Sequence, residues 1–89
     1  MKFNLSKEDY LFLTKNSEKE LSDSISDISE QNDNISFSVA DAGNLLNLIA
    51  DAVFLYGMDD EYAPTKIGKR LYNICDEILY QKRQQEEQP

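Results

Sequence analysis

A mainly α-helical fold, an all-α bundle of three to four helices, is what this 89-residue sequence predicts. Three observations lead there. Paired Ser and Asp or Glu residues at capping-box spacing open apolar segments at Ser6–Asp9, Ser17–Glu20 and Ser38–Asp41. The run from Val39 to Tyr56 is apolar around most of a helical circumference, as in a buried central helix. A further run opening at Pro64 keeps apolar residues at helical spacing as far as Ile78.

The first helix is expected over residues 7–16. Ser6 caps it, and Leu5 and Tyr10 are placed to pack across the cap. Its run Tyr10-Leu11-Phe12-Leu13 points apolar groups in several directions and needs cover on more than one side, unless it is partly extended. A second helix, or a continuation of the first, is expected over 18–31. Leu21, Ile25 and Ile28 line one of its faces, and Glu20, Asp23, Asp27 and Glu30 line the opposite one. Its serines are mediocre helix formers, so packing must hold it.

Asn32-Asp33-Asn34 signals a turn. Ile35 to Val39 then alternates apolar and polar residues, which suits a strand, and Lys2 to Leu5 is the one segment that fits it as a partner. A minor two-stranded ribbon (residues 2–5 and 35–39) is therefore the β element the pattern allows, beside a simple extended lead into the next helix. The central helix is expected over 39–56. Val39, Ala42, Leu46, Ile49, Val53 and Tyr56 form one stripe and Leu45, Leu48, Ala52 and Leu55 another, leaving Asp41, Asn44, Asn47 and Asp51 as a narrow polar edge. Gly57 is expected to close it in a left-handed conformation.

A short acidic loop leads to Pro64, a residue favoured at a first helical position. The last helix is expected from Pro64 to Gln81 or beyond, with a core stripe of Ile67, Leu71, Ile74, Cys75 and Ile78. A glycine inside a helix costs about 1 kcal/mol against alanine. Gly68 is therefore expected to mark a close helix–helix approach, against Ala50 or Ala52. The central and last helices form an antiparallel pair. Residues 1–83 read as a single helical domain, and residues 84–89, which hold no apolar side chain, as a frayed C-terminal tail.

The net charge of −8 disfavours direct nucleic-acid binding and adhesion to anionic membranes, and suits a partner with a basic surface. The segment Met1 to Asp9 has no apolar signal core, and the run Leu45 to Tyr56 is too short to span a bilayer. One cysteine, Cys75, allows no internal disulfide. A cytoplasmic protein is the expectation.

Catalysis is not expected, nor is a cofactor or a metal site. There is no histidine to act as a general base or ligand, and the three glycines are scattered rather than gathered in a phosphate-binding loop. Cys75 falls on an apolar stripe, where a thiol behaves as a small hydrophobe. The sharpest feature is the row Glu20, Asp23, Asp27, Glu30. On a helix its charges would stand about 5 Å apart, close to phosphate spacing, and so could imitate nucleic acid. The plain alternative is a solvated helix face. Asp59, Asp60 and Glu61 sit just before a helix start, where acids are favoured electrostatically. Tyr62 beside them is of a type enriched in binding hot spots. Lys66, Lys69, Arg70, Lys82 and Arg83 make the last helix basic, and ion pairing to the acidic helix is the simplest role for them.

The expected function is a non-catalytic protein-binding module, a small acidic inhibitor or immunity-type protein that docks a basic partner surface. Its candidate partner-binding residues are Glu20, Asp23, Asp27, Glu30, Asp59, Asp60, Glu61 and Tyr62. The alternative is a structural or self-associating subunit forming a homodimer, and a further alternative is a small helical transcriptional regulator. No residue pattern is specific enough to name a family.

Overall fold

In the computed structural model, which describes residues 1–87, the chain runs β1 (Lys2–Ser6), α1 (Lys7–Lys15), α2 (Lys19–Asp23), β2 (Ile25–Gln31), β3 (Asn34–Val39), α3 (Ala42–Tyr56) and α4 (Lys66–Glu86). The three strands form one antiparallel sheet in the order β1-β3-β2. The expected all-α bundle is therefore wrong: the fold is mixed α/β, with four helices and a three-stranded sheet.

The error lies in residues 18–31. The helix starting there lasts five residues. Ser24 ends it, its amide reaching the Glu20 and Leu21 carbonyls and its Oγ donating to Leu21 O at 2.6 Å. Ser and Asp side chains compete in this way for backbone groups, which is why they weaken helix interiors. From Ile25 the chain pairs with β3 instead. Asn32 and Asp33 both have positive φ, 53° and 63°, the geometry of a two-residue hairpin turn that only a few residue types adopt readily. The pairing Gln31↔Asn34 closes the turn. The spacing of Leu21, Ile25 and Ile28 looked helical, but Ile28 ends up exposed on a strand.

The ribbon suggested by residues 2–5 and 35–39 does form, in the register Lys2↔Ser38 to Ser6↔Asn34. Phe3, Leu5, Ile25, Ile35, Phe37 and Val39 turn one sheet face inward. The Phe37 ring meets those of Phe3 and Tyr10 at 6.0 and 5.8 Å. Helical core residues, among them Leu13, Leu21, Leu45, Ile49, Leu71, Ile74 and Ile78, complete the same cluster. The opposite sheet face carries Lys2, Asn4, Ser26, Ser29, Ser36 and Ser38.

Helix α1 starts as expected, with Asp9 N donating to Ser6 Oγ at 3.2 Å. The second expected box does not form. Glu18 takes the cap position without a side-chain cap bond, and Ser17 Oγ is buried without a partner. Helix α3 begins three residues later than expected, capped by Asp41 rather than Ser38 (Asn44 N to Asp41 Oδ1, 3.1 Å). It is not buried on most sides either: Phe54, Leu55 and Tyr56 at its end are all exposed.

Gly57 follows α3 with φ −111°, so it is not the left-handed cap that was expected. Its lack of a side chain serves close approach. A Cβ on Gly57 would stand 2.5 Å from Gly68 Cα, and one on Gly68 would overlap the Gly57 carbonyl. Gly68 does mark a close helix approach, but against Gly57 rather than Ala50 or Ala52. Thr65, not Pro64, opens α4: its Oγ1 accepts from Gly68 N at 3.3 Å and donates to Gly57 O at 3.1 Å. Helix α4 then continues to Glu86, through part of the segment expected to fray, and Gln88 and Pro89 lie outside the described residues.

The far end of α4 closes one edge of the sheet. Asn4 N donates to Gln81 Oε1 at 2.9 Å, while Gln81 Nε2 donates to Asn4 O at 2.7 Å. Gln85 Nε2 donates to Lys2 O at 2.7 Å. A glutamine side chain thus stands in for a missing fourth strand. Among the described residues the β2 edge has no such cover, but a bulge between Ser26 and Ser29, with Asp27 at φ 51°, kinks it in the manner that blunts edge pairing.

Two consequences can be measured. Helix propensity alone would make Gly68→Ala stabilising by about 1 kcal/mol. The obstacle is backbone, which cannot rotate away, so a net loss of about 1–2 kcal/mol in urea unfolding is expected, within the usual cost of overpacking. Gly43→Ala, whose new methyl meets only Asp41 Oδ1 at 3.3 Å, should be neutral or stabilising; equal effects at the two sites would refute the contact. Gln81→Ala should cost about 1 kcal/mol and speed hydrogen exchange at the Asn4 amide. An unchanged exchange rate there would show that the edge bond does not hold.

Candidate interaction surface

The eight residues singled out in the sequence do not form one site. The helical acidic row is not formed. Glu20 lies on α2 and Asp23 ends it, Asp27 sits in the β2 bulge, and Glu30 lies further along β2. Glu30 pairs with Lys7 at 2.8 Å, which holds the Lys7 ammonium above the usual lysine range, its hydrogen bond to Glu30 being the main cause. The even 5 Å spacing that suggested imitation of nucleic acid is therefore absent. The expected pairing of the basic last helix with this row is absent too: Arg70 reaches Asp9 of α1 at 3.4 Å and lies over the Phe12 ring at 4.2 Å, and Lys82 pairs with Glu86.

The acidic loop is partly a structural device. Asp59 Oδ1 accepts from the amides of Glu61 and Ala63 at 2.9 and 3.0 Å. Asp59 N donates to Ala63 O, and Met58 bridges Pro64. Asp60 and Glu61 remain exposed. Tyr62, at φ 61°, is 68% exposed, and its ring stacks on Phe54 at 6.0 Å and 18°.

What the structure does bring together is α2, the end of α3 and this loop. Tyr56 Oη donates to Glu18 Oε1 at 2.8 Å, tying the start of α2 to the end of α3. On the other side Tyr62 lies against Phe54. Between α2 and α3 is an open groove of about 400 Å³. Its apolar surface is made by Leu48, Phe54 and Leu55 over the underlying Leu21, and its rim by Glu18, Glu20 and Asp51. Leu21 is fully buried, whereas Phe54 and Leu55 are 60% and 55% exposed. The segments 17–24 and 51–63 hold seven acids (Glu18, Glu20, Asp23, Asp51, Asp59, Asp60, Glu61) and one base, Lys19, which does not line the groove.

Sequence reasoning missed Glu18, Asp51, Phe54 and Leu55. Phe54 did carry a signal. It continues the polar edge Asn44, Asn47, Asp51 by one further step of three, so an aromatic stands where the helix should meet water. Leu55 carried none, because its spacing from Leu48 and Ala52 is that of a core residue.

Cys75 is half-buried against the core, and burial, with the charge of Asp76, pushes its thiol above the usual cysteine range. Such a thiol is a poor nucleophile at neutral pH. Among the described residues no group of three or more His, Cys, Asp or Glu side chains is placed to hold a metal ion. No described helix is long and apolar enough to cross a membrane. Comparison with protein-family models, curated proteins and solved structures finds no match.

The Tyr56–Glu18 bond has a pH signature. Its hydrogen bond to the carboxylate, aided by burial and by the Glu18 charge, raises the Tyr56 hydroxyl above the usual tyrosine range. A group whose folded pKa is raised contributes stability below its unfolded pKa, about 10 for tyrosine. That contribution is lost as pH climbs through the folded value. In an alkaline titration followed at the Tyr56 ring resonances, its midpoint should lie above the usual tyrosine range, and Glu18→Ala should lower it. The stability gap between wild type and Tyr56→Phe should close at the same alkaline pH, and a gap constant across that range would contradict the assignment.

Proposed function

We propose that this chain is a non-catalytic protein-binding module that docks a basic partner surface. One observation carries the reading: two tertiary contacts, Tyr56 on Glu18 and Tyr62 on Phe54, set an acidic helix and an acidic loop on either side of exposed apolar residues at the end of α3. An apolar centre with a charged rim is the usual anatomy of a protein interface. The charge balance there, seven acids to one base, speeds encounter with a positive partner and disfavours a negative one. The absence of histidine and the protonated, half-buried thiol of Cys75 support a non-catalytic reading. Self-association through the β2 edge is favoured less, because the bulge interrupts that edge.

The test is capture from the native host by three forms of the protein. Wild type should retain proteins with a basic surface and release them at high salt. The double variant Glu20→Lys with Glu61→Lys, on exposed positions flanking α3, should lose them while circular dichroism stays unchanged. Glu8→Lys with Glu87→Lys makes the same change in net charge elsewhere and should retain them. Equal retention by both variants would refute this surface, and a set of captured proteins that is not basic would refute the reading.

A further inference from the structure

We propose that the α2–α3 groove receives a basic amphipathic helix from the partner protein, its apolar face seated on Leu48, Phe54 and Leu55 and its lysines or arginines set against Glu18, Glu20 and Asp51. This rests on the docking function above and names its site and the chemistry of its ligand.

The occupant's charge follows from the rim. All three charged residues lining the groove are acids, and the loop beyond Tyr62 adds Asp60 and Glu61. An anionic ligand, including a phosphate backbone or an acidic lipid surface, would meet repulsion on both sides. The apolar demand follows from the floor. Phe54 and Leu55 are more than half exposed, and the half-buried Leu48 continues the same surface over the fully buried Leu21. A purely ionic partner such as a polycation would leave that surface wet. A volume of about 400 Å³ lies within the range of about 300–1,000 Å³ in which pockets take a defined ligand group.

The occupant's conformation follows from the walls. The longer wall is α3, whose backbone groups are bonded within the helix except at its ends, and the shorter one is the five-residue α2, which is not a strand edge. They offer no ladder of free N–H and C=O groups for an extended segment to zip onto, and the uncovered β2 edge does not line the groove. A segment entering here must therefore satisfy its own backbone. A helix does so, and helix-in-groove recognition reads its apolar anchors at positions i, i+3, i+4 and i+7.

The test uses three synthetic peptides of about four helical turns. One is a lysine–leucine sequence with leucines at that spacing. The second is its scrambled isomer, with equal charge and composition but no apolar face. The third is polylysine of equal length. Each is titrated into ¹⁵N-labelled full-length protein. The amphipathic peptide should bind at least tenfold more tightly than either control, gain helical circular dichroism on binding, and shift resonances of Leu48, Asp51, Phe54 and Leu55. Phe54→Ala and Leu55→Ser, both on exposed positions, should weaken it about tenfold while leaving polylysine binding unchanged. Equal binding of all three peptides would overturn the groove proposal and leave docking by charge standing. Shifts confined to β2 would overturn the site. Failure of every cationic peptide to bind would overturn the groove and the docking function together.

Discussion

The carbonyl of Gly57 is the point on which the helical layer turns. It accepts from both the amide and the hydroxyl of Thr65, at 2.8 and 3.1 Å, and the first turn of α4 lies directly against it at Gly68. Neither glycine can carry a Cβ without displacing backbone. This contact brings the two longest helices together at one end. It compels residues 58–64 to close as a tight loop, which Asp59 fastens by accepting two amides of its own segment. Tyr62 is left in the left-handed region, a strain of about 1–2 kcal/mol for a residue with a side chain, and the loop geometry and the Phe54 ring beneath it hold it there. The aromatic placed on the proposed interaction surface is thus a consequence of two glycines at the ends of the loop.

The same helix acts at its far end. With its start fixed on Gly57, α4 is long enough to lay Gln81 and Gln85 along β1. An uncovered β1 would present free backbone groups next to Phe3 and Leu5, the pattern that invites unwanted strand pairing. A side-chain amide carries one donor group and one acceptor, so Gln81 satisfies both outward groups of Asn4. A leucine there would cover the edge without bonding it, and a lysine would supply only donors. The two edges of one sheet are therefore protected by different means, β1 by borrowed hydrogen bonds and β2 by a bulge.

Much of this was legible in the sequence, and the exceptions have a common cause. Where a local signal and the tertiary outcome agree, the sequence reading holds: Ser6 caps α1, the alternation in 35–39 pairs with 2–5, the stripe of Leu71, Ile74 and Ile78 faces the core, and Gly68 marks a close approach. The stretch 18–31 fails because two periodicities coincide there. Leu21, Ile25 and Ile28 are spaced as a helix face, while the serines and acids between them oppose a helix. The deciding term was the turn at Asn32-Asp33, whose two left-handed residues align β2 on β3. Once that hairpin exists, a lone ribbon becomes a three-stranded sheet and the bundle becomes an α/β layer. The acidic row is lost with it, since a row of acids at helical spacing has no meaning across a helix end, a bulge and a strand.

The end of α3 connects the fold to its proposed use. Leu45, Ile49, Ala52 and Val53 already fill the space between sheet and α4, so nothing in the core calls for Phe54 or Leu55. Exposing a large apolar side chain forgoes about 1.5–3 kcal/mol relative to burial, and here two such residues lie side by side at one helix end. A small domain has little stability to spare. The two tyrosines beside them each have a partner, Tyr56 in Glu18 and Tyr62 in Phe54 itself. An apolar step whose neighbours are already bonded in the folded chain has part of its ordering cost met at folding, before any partner arrives. That is the property a docking surface needs and a merely solvated helix end does not.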